Sequence, residues 1–176
     1  MSYIKSFALK KQQRSMRVIK NTGYFRNILF GAEDSLVSTV GVLFGVASSA
    51  QTIDQSQILM TGLIVISVEA LSMGAGAFLT ETSTHELSKK SYQDKPAIDG
   101  LLMFSSYFLF GLIPITPYVL ISGPYAKIVS LGATLVALFI LGYIPTKKIK
   151  AAIRMVVVAG SAAVIGFIIA TLFNIS

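Results

Sequence analysis

The chain has 176 residues, 53% hydrophobic and 13% charged, with a formal net charge of +7, no Cys and no Trp. A soluble domain carries about a quarter charged residues. Half that load, a mean hydropathy of +0.71 and recurrent apolar runs exclude an ordinary soluble enzyme, a disordered tail and a disulfide-stapled secreted domain. The absence of Cys also removes thiolate zinc sites, iron–sulfur clusters and cysteine nucleophiles.

Residues 1–26 form a basic segment. They hold seven of the fifteen Lys/Arg (Lys5, Lys10, Lys11, Arg14, Arg17, Lys20, Arg26) and no acid. Ile4, Phe7, Ala8, Met16, Val18 and Ile19 alternate with the bases, as in an interfacial helix or a solvated basic arm on the cytoplasmic side. There is no signal-peptide hydrophobic region, so cleavage is not expected. No basic–aromatic recognition motif accompanies the charge, and nucleic acid is not an expected partner.

Residues 27–176 read as one all-α transmembrane domain. Apolar runs at about 28–50, 57–80, 101–121, 126–145 and 151–173 give five spans, each of a length that crosses about 30 Å of hydrocarbon. Helices are the economical reading, because an unpaired backbone group in lipid costs several kcal/mol. Fourteen Lys/Arg fall on the side of the N-terminal segment, the 81–100 loop and the 146–154 loop, and Lys127 alone on the other. That asymmetry places the N-terminus in the cytoplasm and the C-terminus outside. Ser122-Gly123-Pro124 and Ile144-Pro145 are expected to make tight turns. Pro114 and Pro117 disturb the third span's hydrogen-bond ladder, so the helix either kinks or ends there, and the kink is preferred. No internal repeat is evident.

The acids are the informative residues. All eight Asp/Glu occur by residue 99; from Asn27 to Ser88 there are six acids (Glu33, Asp34, Asp54, Glu69, Glu81, Glu86) and no Lys or Arg. A charged side chain within a span costs about 2.5–3.5 kcal/mol on insertion scales. With no base on the same two helices, the remaining partners are protons, a metal cation or water. Helix arithmetic puts Asp34 roughly 9 Å and Met73 roughly 10 Å from the cytoplasmic face, with Glu69 at roughly 16 Å. Glu69 and Met73 are four residues apart and share a face. Asp34, Met73 and Glu69 are therefore the candidate metal ligands, an oxygen/sulfur set that suits a borderline divalent ion better than magnesium or copper(I). Glu33, Glu81 and Glu86 are candidates for attracting metal at the cytoplasmic mouth.

Plainer roles exist for each residue. Met73 can fill a core gap, Glu33 or Asp34 can cap a helix, Glu69 can hydrogen-bond while protonated, and His85-Glu86 can be a solvated loop. Gly41 and Gly45 in span one, and Gly74 and Gly76 in span two, offer flat surfaces suited to a homodimer. The sole His lies outside the expected spans and no nucleophile–base pair is evident, so no enzymatic activity is expected.

Three ordered motifs resemble the vacuolar iron transporter family. They are Gly31-Ala-Glu-Asp34-Ser-Leu-Val-Ser-Thr39, Leu71-Ser-Met73-Gly-Ala-Gly76 and Gly111-Leu-Ile-Pro114-Ile-Thr-Pro117-Tyr118. The resemblance covers about residues 26–173. It implies a homodimer with its metal path on the two-fold axis, moving iron(II) or manganese(II) out of the cytoplasm in exchange for protons, with Asp34 and Met73 matching the family's aspartate and methionine. The chain departs from the family at Ser35, where Gly is common, and at Ala77, where many members have an acid. It also lacks the cytoplasmic metal-binding insert between spans two and three, where it has only a connection containing Glu81, Glu86, Asp94 and Asp99. The expectation is thus a multi-pass protein of the plasma (inner) membrane if prokaryotic, or of a vacuolar-type membrane if eukaryotic. Its partners are a second copy, lipid, a divalent metal ion and protons, and it has no tightly bound cofactor. The alternative is a non-transporting scaffold that recruits a cytosolic protein through its basic tail.

Overall fold

The computed structural model describes the backbone of residues 2–49, 55–88 and 95–173, with side chains over 22–48, 55–87 and 95–172. Five helices account for nearly all of it: α1 (Ser2–Ser49), α2 (Gln55–Ser88), α3 (Pro96–Leu120), α4 (Tyr125–Thr146) and α5 (Ile149–Phe173). No strand occurs among the described residues. All five helices are long and apolar enough to cross a membrane, over Thr22–Ser48, Gln55–Leu87, Pro96–Leu120, Tyr125–Thr146 and Ile149–Leu172.

Three boundaries differ from the sequence reading. The helix of the first span extends back through the basic segment to Ser2. α2 runs on to Ser88, so Glu81, His85 and Glu86 stand on a helix and not in a loop. Residues 79–88 contain neither Gly nor Pro, and Thr82 and Thr84 donate their hydroxyls to the carbonyls of Phe78 and Thr80 at 2.8 Å each. Falling hydropathy marks the edge of an apolar run; it does not break a backbone ladder. Likewise Asp99 lies in the first turn of α3, while Asp94, Lys89 and Lys90 fall outside the described residues.

The turns have local causes. Gly123 adopts φ +94, which its missing Cβ permits, between α3 and α4. α4 passes the expected stop at Pro145 by one residue and ends where Lys147, at φ 51, donates its N–H to the Tyr143 carbonyl at 2.7 Å. α3 continues through both Pro114 and Pro117 to Leu120. Around those prolines Ser130 Oγ donates to the Pro114 carbonyl at 2.6 Å, and Gln55 Nε2 donates to the Tyr118 carbonyl at the helix end.

α1 and α3 form the centre of the bundle. α2 docks on α3, α5 docks on α1, and α4 closes the space between α3, α1 and α5. Leu36, Val40, Leu43 and Ala47 recur at helical spacing on α1 and are at most 2% exposed, one stripe of the core. Leu43 and Ala47 meet Ile58 and Ile66 of α2 and Ile115 and Tyr118 of α3 in one cluster, and Leu36 meets Leu138 of α4 and Ala159 of α5 in another. Outside, the usual order is inverted: Leu63, Ile64, Val68 and Leu71 on α2, and Val157, Ile165, Ile168 and Ile169 on α5, face outward. A surface so continuously apolar is stable in lipid and aggregates in water.

Small residues allow the helices to approach closely. At the α1–α5 crossing a Cβ on Gly45 would meet the Gly166 carbonyl at 3.0 Å, and one on Gly166 would collide with the Gly41 carbonyl. Between α2 and α3, a Cβ on Gly100 would stand 2.7 Å from the Gly74 carbonyl. Polar side chains add interhelical links from α1 to α3: Ser35 Oγ donates to the Tyr107 carbonyl at 2.6 Å, and Ser106 Oγ to the Ile28 carbonyl at 2.5 Å. Such links contribute about 0.6 kcal/mol on average within a membrane protein.

Candidate metal path

The candidate site lies along the seam where α1 and α2 meet in front of α3. Its first component is a single carboxylate. Asp34 is half-buried, and among the described residues it makes no hydrogen bond and no ion pair. Within a span, such a group stands at a cost of a few kcal/mol unless a cation visits it.

The second component is a polar triad. Glu69 of α2 accepts from Ser38 Oγ of α1 at 3.0 Å and from the Tyr107 hydroxyl of α3, and the two hydroxyls are 2.5 Å from each other. Three helices are thereby tied at one point by one carboxylate. The Ser38–Glu69 bond also sets a register. α1 and α2 are antiparallel neighbours, so moving back four residues on α1 and on four residues on α2 keeps both faces and brings Asp34 level with Met73.

The third component is a groove of about 640 Å³, open where α2 finishes and α3 begins. Met73, Thr80 and Glu81 of α2, Asp99 and Met103 of α3, and Asn27 and Phe30 of α1 line it, with Arg26 among them. Asp99 is buried and accepts from Asn27 Nδ2 at 2.5 Å. Asp34 follows one turn after Phe30. Near the groove's mouth, Glu81 Oε1 lies 3.4 Å from His85 Nε2, a pair four residues apart on α2. Glu86 is exposed.

Glu33 sits differently from the other acids. Arg154, near the start of α5, acts electrostatically on it, as does the adjacent Asp34. The sequence reading found no base on the first two helices; the fold supplies one from the fifth. The glycines proposed for a dimer surface also separate. Gly41 and Gly45 pack against α5 and Gly74 against α3, whereas a Cβ on Gly76 would meet nothing within 4 Å.

Ser38, Tyr107, Asn27, Asp99 and Met103 are not among the candidate ligands or mouth residues that the sequence offers, although Ser38 lies in the first motif and Asp99 in the short connection. Ser38 had a signal, since it follows Asp34 by one helical turn. Tyr107 had none, because a hydroxyl in an apolar span is identified only by the carboxylate it meets. Among the described residues no three His, Cys, Asp or Glu side chains gather into a metal-binding group. A metal held by these residues would need a mixed donor set, or further ligands from a second copy.

A helical bundle with a lipid-facing exterior, an uncompensated carboxylate in one span and a donor-lined groove defines an integral multi-pass membrane protein with a polar seam. The family model described as the VIT family matches residues 25–97 and 81–171, two stretches that together cover nearly all five spans. The chain belongs to this family, the vacuolar iron transporter family, whose activity is metal-ion transport across membranes. No curated protein matches the chain.

Proposed function

We propose that the chain is a homodimeric divalent-metal/proton antiporter that exports iron(II) or manganese(II) from the cytoplasm along the Asp34 seam. One observation carries the reading: Asp34 is a half-buried carboxylate within a span and has no protein partner among the described residues. The neighbouring carboxylate Glu69 is held by two hydroxyls, so the seam can satisfy an acid when it is built to do so.

In this reading Asp34 and Met73 from each of two copies converge on a two-fold axis and supply two carboxylates and two thioethers. Carbonyls or water complete the coordination of a borderline divalent ion. Glu69, one turn deeper on the Met73 face, hands protons to the path as metal leaves, with Ser38 and Tyr107 holding its carboxylate. Glu33, Glu81 and Glu86 draw cations to the cytoplasmic mouth. The exposed face of α2, where Ser72 and Gly76 stand outward and also border the groove, offers the surface for the second copy.

The test is uptake of iron(II) and manganese(II) by proteoliposomes holding the purified chain, with and without an imposed pH gradient. Asp34→Ala and Met73→Ala should each reduce flux at least about tenfold, the loss expected when a ligand contributing 1.4 kcal/mol or more is removed. Undiminished transport by both variants would overturn the site, and absence of wild-type flux would overturn the function.

A further inference from the structure

The groove between α1, α2 and α3 brings Met73 and Glu81 together with Asp99, Met103 and Asn27, which the transport reading leaves unused. Gly74 packs against Gly100 and Phe104, and Gly100 packs back against Gly74 and Phe78. On these antiparallel helices Met73, next to Gly74, and Met103, next to Phe104, both line the groove. From the third side, α1 presents Gly31, whose Cβ would lie only 3.2 Å from Met103 Sδ. Glycine there leaves room for the thioether.

Asp99 precedes Met103 by four residues and so occupies the same face of α3, one turn nearer the mouth. Asn27 Nδ2 donates to its Oδ1 at 2.5 Å and orients the carboxylate. Both residues, with Met73 and Glu81, line one groove of about 640 Å³. A helix-dipole role accounts for an acid in the first turn of α3, and gap-filling accounts for a methionine. Neither accounts for two thioethers from two helices beside a buried acid at an open groove.

We propose that this groove is a cation-loading site within a single protomer, with Asp99, Met103 and Met73 as its ligands and Asn27 as the residue that positions Asp99. The inference rests on the transport reading and adds to it a station that metal occupies before Asp34. Two thioethers and a carboxylate select borderline ions such as iron(II) or cobalt(II) over the oxygen-seeking magnesium and calcium. Glu81 gathers cations at the mouth. Arg26, exposed in the same lining, opposes them and tunes occupancy by charge repulsion.

Cobalt(II) is the probe, because thioether ligation adds a near-ultraviolet charge-transfer band that carboxylates do not produce. The full-length protein in detergent is titrated as wild type, Asp34→Ala, Asp34→Ala with Met103→Leu, and Asp34→Ala with Asp99→Asn. Size-exclusion profile and melting temperature are matched first, and Asp99→Asn keeps the Asn27 acceptor should Met103→Leu fold poorly. Asp34→Ala should still bind cobalt and keep the band. Each added substitution should weaken binding at least tenfold, and Met103→Leu should diminish the band. Arg26→Gln should tighten binding about threefold at low salt.

Loss of all binding in Asp34→Ala, or unaltered binding in both double variants, overturns the loading site. Wild-type flux accompanied by either result spares the transport reading. Cobalt binding as expected, but no wild-type flux in proteoliposomes, sinks the transport reading and leaves the groove a metal site without transport.

Discussion

Ser38 of α1 and Glu69 of α2 are joined by a 3.0 Å hydrogen bond, and the same carboxylate oxygen accepts the Tyr107 hydroxyl of α3. One acid thus links three spans, while Asp34, one turn away on the face of Ser38, has no such partner among the described residues. Two carboxylates on one seam are treated in opposite ways.

That contrast predicts opposite effects on stability. Asp34→Asn removes a half-buried charge without breaking a hydrogen bond to any described residue, so the variant should unfold at an equal or higher temperature than wild type, by roughly 1 kcal/mol, even as transport falls. Thermal unfolding in detergent, run beside flux, checks both halves. A destabilised Asp34→Asn would show that the carboxylate has a structural partner.

Glu69→Ala should do the reverse. It leaves the Ser38 and Tyr107 hydroxyls without their acceptor and opens a small void, costing about 1–3 kcal/mol, whereas Glu69→Gln keeps an acceptor oxygen and should cost about half as much. Chemical unfolding curves of the two variants should separate in that order. Tyr107→Phe, which deletes only the hydroxyl, should fall near Glu69→Gln.

Arg154 acts on Glu33 from the fifth helix. Arg154→Gln makes the region around Glu33 and Asp34 more negative, so the apparent KM for metal should fall about two- to fivefold at low ionic strength, with little change in maximal rate. Added salt should erase the difference, because screening acts over about 10 Å at 0.1 M. An unchanged KM would place Glu33 off the route that metal takes.

The glycines give a test of assembly. Gly166→Leu drives a side chain into the Gly41 carbonyl and should unfold the bundle or abolish expression, because two backbones would have to separate. A Cβ at Gly76 would meet nothing within 4 Å and the position borders the open groove, so the Gly76→Leu protomer should fold normally. If the α2 face seats a second copy, Gly76→Leu should shift the protein from dimer to monomer in light scattering from detergent. An undisturbed dimer would move the interface off this face.

Class, span count and the positions of most spans were legible in the sequence, as was the matched level of Asp34 and Met73. Long apolar runs in a poorly charged chain leave the backbone few choices, and helix rise converts sequence distance into depth. The end of α2 was misread because hydropathy reports contact with lipid, while a helix ends only where its ladder is interrupted. The close-packing value of Gly41, Gly45 and Gly74 was also visible, but small residues do not say which helix will come near. In the folded chain the first two face α5 and the third faces α3.

A strand of residues carries its hydrophobic pattern, its charge order and its helical periodicity without needing to fold, and these suffice to declare a five-helix membrane protein of this family with acids but no bases in its first two spans. The rotation of each helix about its own axis is another matter. It is set by packing between residues far apart in the chain, and it is what turns Tyr107 onto Glu69, brings Arg154 to act on Glu33 and sets Met103 in the groove that Met73 lines. Which acid is satisfied and which is left for a cation therefore belongs to the assembled bundle, where each carboxylate meets side chains contributed by other helices.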